Sequence, residues 1–320
     1  MPDPAERALF QELPPAGVIL FARNVADPAQ LRRLTACLRE LLPEAAEIVV
    51  DQEGGRVVRL RPPHWRAHPP VAQLGALPGE DGVRAAWLQG ALIGTECMAA
   101  GFTLACAPVL DLHYPGASDV VGDRAFASDP MRVAALAGAM AAGLLAAGVI
   151  PVGKHAPGHG RALVDSHAAL PVLPPGTDME ADLQPFQACA HLPWMMTAHL
   201  LYPDWDPLLP ATLSPAIVGG VIRGRIGFKG VLVSDDLAMG ALSGLPGDRA
   251  AAARAAGCDI ALHCSGLLAD SRAVLERAGE TAPGLLARMA AARALAARRR
   301  TVLDPDALTI ERDLLLARVA

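Results

Sequence analysis

Two carboxylates and an imidazole stand where group-transfer chemistry could be carried out. Asp235 ends the apolar run Val231-Leu232-Val233-Ser234 and is followed by Asp236. Strand side chains alternate faces, so Asp235 shares a side with Val231 and Val233, and Asp236 with Ser234. Asp235 is then free to act as a nucleophile at the strand end, while Asp236 caps a helix beginning near Leu237. The other reading is that both are turn or cap residues. Asp165 and His167 lie two apart in Asp165-Ser166-His167. A carboxylate beside an imidazole fixes its tautomer and raises its basicity. Such a histidine can give a proton to a leaving oxygen and later take one from water. Taken alone, the pair also fits a polar surface loop.

Three more stretches carry polar groups suited to a ligand. In Lys154-His155-Ala156-Pro157-Gly158-His159-Gly160, Lys154 is one of only two lysines, the other being Lys229. A chain that otherwise uses arginine places a compact ammonium there. The glycines at 158 and 160, with Pro157, predict a loop that can move or hold an unusual backbone shape. In Asp51-Gln52-Glu53-Gly54-Gly55-Arg56-Val57-Val58-Arg59, a carboxylate can accept from neighbouring sugar hydroxyls and the glycine pair admits close backbone approach. In Gly122-Asp123-Arg124-Ala125-Phe126, the planar fork of Arg124 suits a hydroxyl or an amide carbonyl. A rim network of salt bridges would explain the last two stretches equally. Aromatic residues are 4% of the chain, so few rings could stack on a sugar; Phe126 and Trp205 are the candidates.

Short apolar runs at 17–21, 47–50, 104–110, 150–153, 195–198, 230–234 and 259–262 have strand character. Helical stretches at 29–42, 83–100, 132–147, 211–226 and 250–256 separate several of them. This alternation predicts a parallel sheet covered by helices. Asp51, Asp111, Lys154, His155, His199, Asp235 and His263 follow closely on successive runs. Convergence of so many polar strand ends is the habit of a (β/α) barrel, whose rim carries the site. The expected fold is therefore α/β, a single-domain (β/α) barrel of the TIM type spanning 1–320. Seven strands are counted, and the missing one is expected at the N-terminus.

The 320 residues carry a formal net charge of -5, which excludes the basic footprint of a nucleic-acid binder. Six cysteines lie mostly in apolar runs without a CxxC pair, as expected of reduced thiols. With no basic-then-apolar leader at the start of the sequence, a cytoplasmic protein is expected. The uncharged stretch 133–152 is long enough to span a bilayer. Its alanine and glycine content, with Gly148 and Pro151 near the end, points instead to a buried helix followed by a strand, and no membrane partner is expected.

Taken together, these motifs resemble the NagZ-type β-N-acetylglucosaminidases (β-hexosaminidases) of glycoside hydrolase family 3. The resemblance runs through 17–24 (GVILFARN), 51–60 (DQEGGRVVRL), 107–111 (APVLD), 122–126 (GDRAF), 154–160 (KHAPGHG), 165–167 (DSH), 196–199 (MTAH), 210–215 (PATLSP), 234–237 (SDDL) and 256–260 (AGCDI). It implies a (β/α) barrel and a retaining mechanism through a covalent glycosyl-enzyme. It implies Asp235 as nucleophile, His167 as acid/base and Asp165 as its partner. Asp51, Arg59, Arg124, Lys154 and His155 would hold the terminal N-acetylglucosamine. The implied substrate is N-acetylglucosamine linked to anhydro-N-acetylmuramic acid, with or without a stem peptide, in bacterial peptidoglycan recycling. No cofactor and no metal are implied, and the oligomeric state is left open.

Three other readings are weighed. A metal-dependent hydrolase could draw ligands from His155, His159, Asp165, His167, His199 and His263, but leaves Asp235 unexplained. A phosphorylase on the same fold would transfer the sugar to phosphate, which a neutral histidine base tolerates. A catalytically inactive sugar-binding protein would retain the pocket without turnover.

Overall fold

The structure is a computed structural model and describes residues 1–318. Six parallel strands lie side by side in chain order: β1 (Gly17–Leu20), β2 (Glu47–Val50), β3 (Leu104–Ala105), β4 (Ile150–Ala156), β5 (Trp194–Thr197) and β6 (Val231–Val233). The helices are α1 (Pro4–Glu12), α2 (Pro28–Leu41), α3 (Val71–Ala76), α4 (Gly79–Ala99), α5 (Pro130–Ala146), α6 (Glu180–Ala188), α7 (Pro246–Ala256), α8 (Leu268–Ala278), α9 (Pro283–Arg299) and α10 (Pro305–Leu316). A π-helical stretch, Ile217–Arg225, occupies part of the predicted 211–226 helix.

The expected closed barrel is not what forms. The sheet is a curled half-barrel, open between β1 and the segment 259–262. That segment, read from the sequence as a seventh strand, meets β6 in a single bridge, Val233 to Ile260. It is held by backbone bonds, among them the Ser234 amide to the Ile260 carbonyl at 3.0 Å and the Leu237 amide to that of Leu262 at 2.8 Å, and by its first side chain: Asp259 accepts from the Leu232 amide at 2.9 Å and from Arg223 at 2.8 Å, and also pairs with Arg288. At the other edge β1 bonds to β2 alone among the described residues. The residues ahead of β1 cannot supply a partner, because they are helical. Asp3 accepts from the Glu6 amide at 2.8 Å while Glu6 accepts from the Asp3 amide at 2.8 Å, a reciprocal cap that starts α1.

Alternation along the strands sorts the side chains. Cys106, Ile150, Val152, Trp194, Met196, Val231 and Val233 fill the inside of the curl with Leu285, Met289 and Ala292 of α9. Leu20, Ile48, Val50, Ala105, Met195 and Leu232 face outward against the helices. By the same parity, Asp51 continues the inward row of Val49, Lys154 that of Ile150 and Val152, and Asp235 that of Val231 and Val233. The strand order therefore brings three distant charged residues to one end of one concave face. A cavity of about 920 Å³ opens along the unpaired seam, lined by Ile19, Val152, Trp194, Ile260 and Leu262 among others.

The 133–152 stretch is a buried helix, as its composition predicts. α5 ends at Ala146, Gly148 turns the chain with a φ of 88° and β4 begins at Ile150. α5 packs on α4 at backbone distance: a Cβ on Gly143 would lie 2.2 Å from the Trp87 carbonyl oxygen, and one on Gly90 2.1 Å from that of Met140. Among the described residues no helix is long and apolar enough to cross a membrane.

Candidate active site

The floor of the site is a set of alternating charges at the C-terminal ends of β2 and β4. Lys154 is buried with its ammonium between two carboxylates, 3.0 Å from Asp51 Oδ1 and 2.6 Å from Glu53 Oε1. Arg59 reaches the other Asp51 oxygen at 3.1 Å and lies 5.1 Å from the centre of the Phe21 ring. Arg124 grips Glu53 with both arms, Nε to Oε2 at 2.8 Å and NH2 to Oε1 at 2.9 Å. Burial would raise the Glu53 carboxyl, but Arg124 and Lys154 outweigh it and hold the group well below the usual carboxylate range. Lys154 is raised: desolvation works against its charge, and Asp51 and Glu53 more than offset it. Buried charges are tolerated because each has its opposite within hydrogen-bond distance.

Asp111, just beyond β3, orients two histidines with one carboxylate. Its Oδ2 lies 2.6 Å from His155 Nδ1, and its Oδ1 accepts from the His159 amide at 2.7 Å. Donation from Nδ1 leaves His155 Nε2 as the free nitrogen, with Arg124 NH2 3.4 Å away. The Lys154–His155 and Ala156–Pro157 peptides are cis.

Asp235 sits at the end of β6 on the same face, partly exposed. Burial pushes its carboxyl up, but His155, His199, the Asp236 amide and Lys154 together bring it below its ordinary value. The amide contact is 2.8 Å to Asp235 Oδ1. Behind it, His199 Nε2 lies 3.0 Å from the Asp236 carbonyl oxygen and Nδ1 2.8 Å from the Thr212 hydroxyl. Asp236 takes the other task foreseen for the pair, with a difference. No helix begins near Leu237; its Oδ1 accepts from the Ala238 amide at 2.8 Å and the Cys264 amide at 2.9 Å, and α7 starts later, at Pro246.

The Asp165–His167 pair forms on the loop after β4. Asp165 Oδ1 lies 2.8 Å from His167 Nδ1 and also accepts from the His167 amide at 2.8 Å. The imidazole is 66% exposed, so Nε2 is presented to solvent. Among the described residues no hydrogen bond or ion pair joins it to Asp235. Burial raises the Asp165 carboxyl, and the bonds from His167 lower it by more. Gly160 is not free space: a Cβ there would lie 2.1 Å from the Leu112 carbonyl oxygen, so this glycine serves close packing.

The structure thus brings Asp51, Arg59, Arg124, Lys154, His155 and Asp235 to one rim and stands Asp165 and His167 on a loop above it. Phe126 is not among them; it is buried in the helix-side core, and Trp205 stacks on Tyr202 at 5.1 Å. The four histidines weighed as metal ligands besides His167 are engaged by Asp111, Ser166, Thr212 and Ser265. Among the described residues no group of three metal-ligating side chains converges. Sequence reasoning left out Glu53 and Asp111 as site residues. Both had a signal: Glu53 is two residues from Asp51, and Asp111 follows a strand.

Comparison with known proteins gives a consistent picture. The profile of the glycosyl hydrolase family 3 N terminal domain matches residues 2–289. A protein named β-hexosaminidase from Alkalilimnicola ehrlichii is 45% identical over 269 residues, covering 81% of this chain and 76% of its own length. One of the same name from Aromatoleum aromaticum is 43% identical over 307 residues, covering 92% and 83%. Among solved structures, NagZ from Neisseria gonorrhoeae in complex with N-trifluoroacetyl-D-glucosamine superposes with a TM-score of 0.84 at 32% identity, covering 99% of this chain and 95% of that one.

Proposed function

The chain belongs to glycosyl hydrolase family 3, and from that premise we propose that Asp235 is the nucleophile and His167 the acid/base of a retaining hydrolysis. The chain is a glycoside hydrolase, a β-N-acetylglucosaminidase. The observation that carries the assignment of roles is the placing of Asp235. It is an ionised carboxylate at a strand end, kept so by His155, His199 and Lys154, with an Asp–His pair on the neighbouring loop.

In the first step Asp235 attacks the anomeric carbon as the glycosidic C–O bond breaks, and His167 gives its Nε2 proton to the departing oxygen. In the second, neutral His167 takes a proton from water, whose oxygen displaces Asp235. Proton transfer of this kind contributes roughly 10²–10⁴ in rate. Asp165 stays ionised and opposite the ring, favouring the imidazolium that the first step needs. Asp51, Arg59, Lys154, His155 and a remaining N–H of Arg124 hold the terminal sugar by its hydroxyls and acetamide. The whole chain, 1–320, acts as one catalytic domain. The substrate is N-acetylglucosamine on an anhydro-N-acetylmuramic acid unit, freed during peptidoglycan recycling, and the six unpaired cysteines suit a reducing cytoplasm.

The test is hydrolysis of a chromogenic N-acetyl-β-glucosaminide by wild type and Asp235→Ala, with the β-glucoside as control. Asp235→Ala is expected to lose at least about a thousandfold in kcat, and the β-glucoside to be turned over poorly. A variant as active as wild type would remove Asp235 from the role. Turnover that requires added phosphate would mark a phosphorylase, and binding without turnover a sugar-binding protein.

A further inference from the structure

The loop that carries the Asp165–His167 pair is exposed at its tip and fastened at its middle. Ser166 lies between two exposed residues and is itself only 2% exposed. Its hydroxyl is 3.1 Å from Nε2 of His159, also 2% exposed. The His159 amide is fixed by Asp111, the same carboxylate that holds His155. On its other side the loop rests on the segment after Asp235. The Gly240 amide donates to the His167 carbonyl and the Ala241 amide to the Ser166 carbonyl, each at 3.1 Å. A Cβ on Gly240 would lie 2.7 Å from the His167 carbonyl oxygen and 2.8 Å from that of Ala168.

We propose that Ser166, His159 and Gly240 are positioning residues, which set where the His167 imidazole stands relative to Asp235. The proposal rests on the reading of Asp235 and His167 given above and deepens it. His159 and Gly240 belong to the two segments that already hold the sugar-side histidine and the nucleophile. Ser166 ties the loop to the first and its own backbone ties it to the second. Burial and the neighbouring His155 push His159 down to about 4, so its ring is neutral near pH 7. Its Nδ1 is buried without a partner. An unpaired buried acceptor costs less than an unpaired buried N–H, so the proton belongs on Nε2, which donates to Ser166 Oγ. Without that bond the loop keeps its Asp–His pair, because both Asp165 contacts are local, but loses the anchor that aims it.

A residue that acts by aiming the acid matters most when the leaving group needs a proton. The experiment measures kcat/KM, which reports glycosylation, on phenyl and 2,4-dinitrophenyl N-acetyl-β-glucosaminides. The proteins are wild type, Ser166→Ala, Gly240→Ala, His167→Ala and Ser166→Ala/His167→Ala. Ser166→Ala and Gly240→Ala are each expected to lower the phenyl substrate about tenfold and the dinitrophenyl substrate less than about threefold. In the His167→Ala background Ser166→Ala should add nothing, because both act through one imidazole. Equal losses on the two substrates, or a further loss in the double variant, would overturn the proposal. A His167→Ala protein that turns over the phenyl substrate like wild type would overturn the acid/base reading itself and this proposal with it. That outcome is read from the single variant alone. Circular dichroism of Ser166→Ala, expected to match wild type, separates aiming from misfolding; a molten spectrum would make the residue structural.

Discussion

His159 also links the site to stability, because it must stay neutral where it is. Burial and His155 depress it from 6.5 to about 4 in the folded protein. The unfolded chain binds that proton from about pH 6.5 downward and the folded chain resists. Its contribution is therefore complete above pH 6.5, falls as the pH drops through this window and is gone by about pH 4. A shift of this size amounts to roughly 3 kcal/mol. The pH dependence of urea midpoints checks it: His159→Phe should be markedly less sensitive between pH 7.5 and 4.5 than wild type. Identical dependence would mean that the ring titrates freely. Asp51, Lys154 and Asp235 were legible in the sequence because a two-residue period at a strand end tells which way a side chain points. Asp111 was placed on the rim but given no task, and Ser166 was given none either, because their roles depend on partners the local pattern does not name. Asp111 reaches His155 across 44 positions, and Glu53 reaches Arg124 across 71.

At the scale of elements, the approach of α4 and α5 sets how tightly the helices close over β3 and β4. Gly143 and Gly90 let the two backbones touch, which a side chain would prevent. Gly143→Ala is expected to cost about 1–3 kcal/mol by overpacking. It should lower the thermal midpoint while leaving kcat per folded molecule near wild type, since the pair meets the rim through Gln89 of α4, 3.5 Å from the Glu53 carbonyl oxygen, and supplies none of its charged side chains. Loss of kcat without loss of stability would show that strain travels from the helix pair into the site. Runs of apolar residues located all six strands and the α5–Gly148–β4 junction, since both depend on neighbours in sequence. The same logic failed at 259–262. An apolar run there looks like a strand, yet the segment meets β6 in one bridge only, and the ion pairs of Asp259 add to that short contact. It failed again at Leu237, where the carboxylate cap holds a turn rather than a helix.

At the scale of the molecule, a family 3 hydrolase keeps its rim of charges on a sheet that does not close. The site tolerates this because its charged floor comes from β2, β4 and β6 and their loops, which are joined to one another through β3 and β5. The seam falls outside that arc, between β1 and the segment after β6.

An uncut hoop spreads a load around its whole circumference; a split one has two loose tips and opens from them. Strand by strand, the hydrogen-bonded ladder here has such tips at β1 and Ile260, with β3 and β4 farthest from either. Backbone amides should then exchange with deuterium in that order, quickest in β1 and slowest in the middle strands, as local openings peel inward from the split. Equal protection from β1 to β6 would show that the jacket of helices, and not the ladder, keeps the tips from spreading.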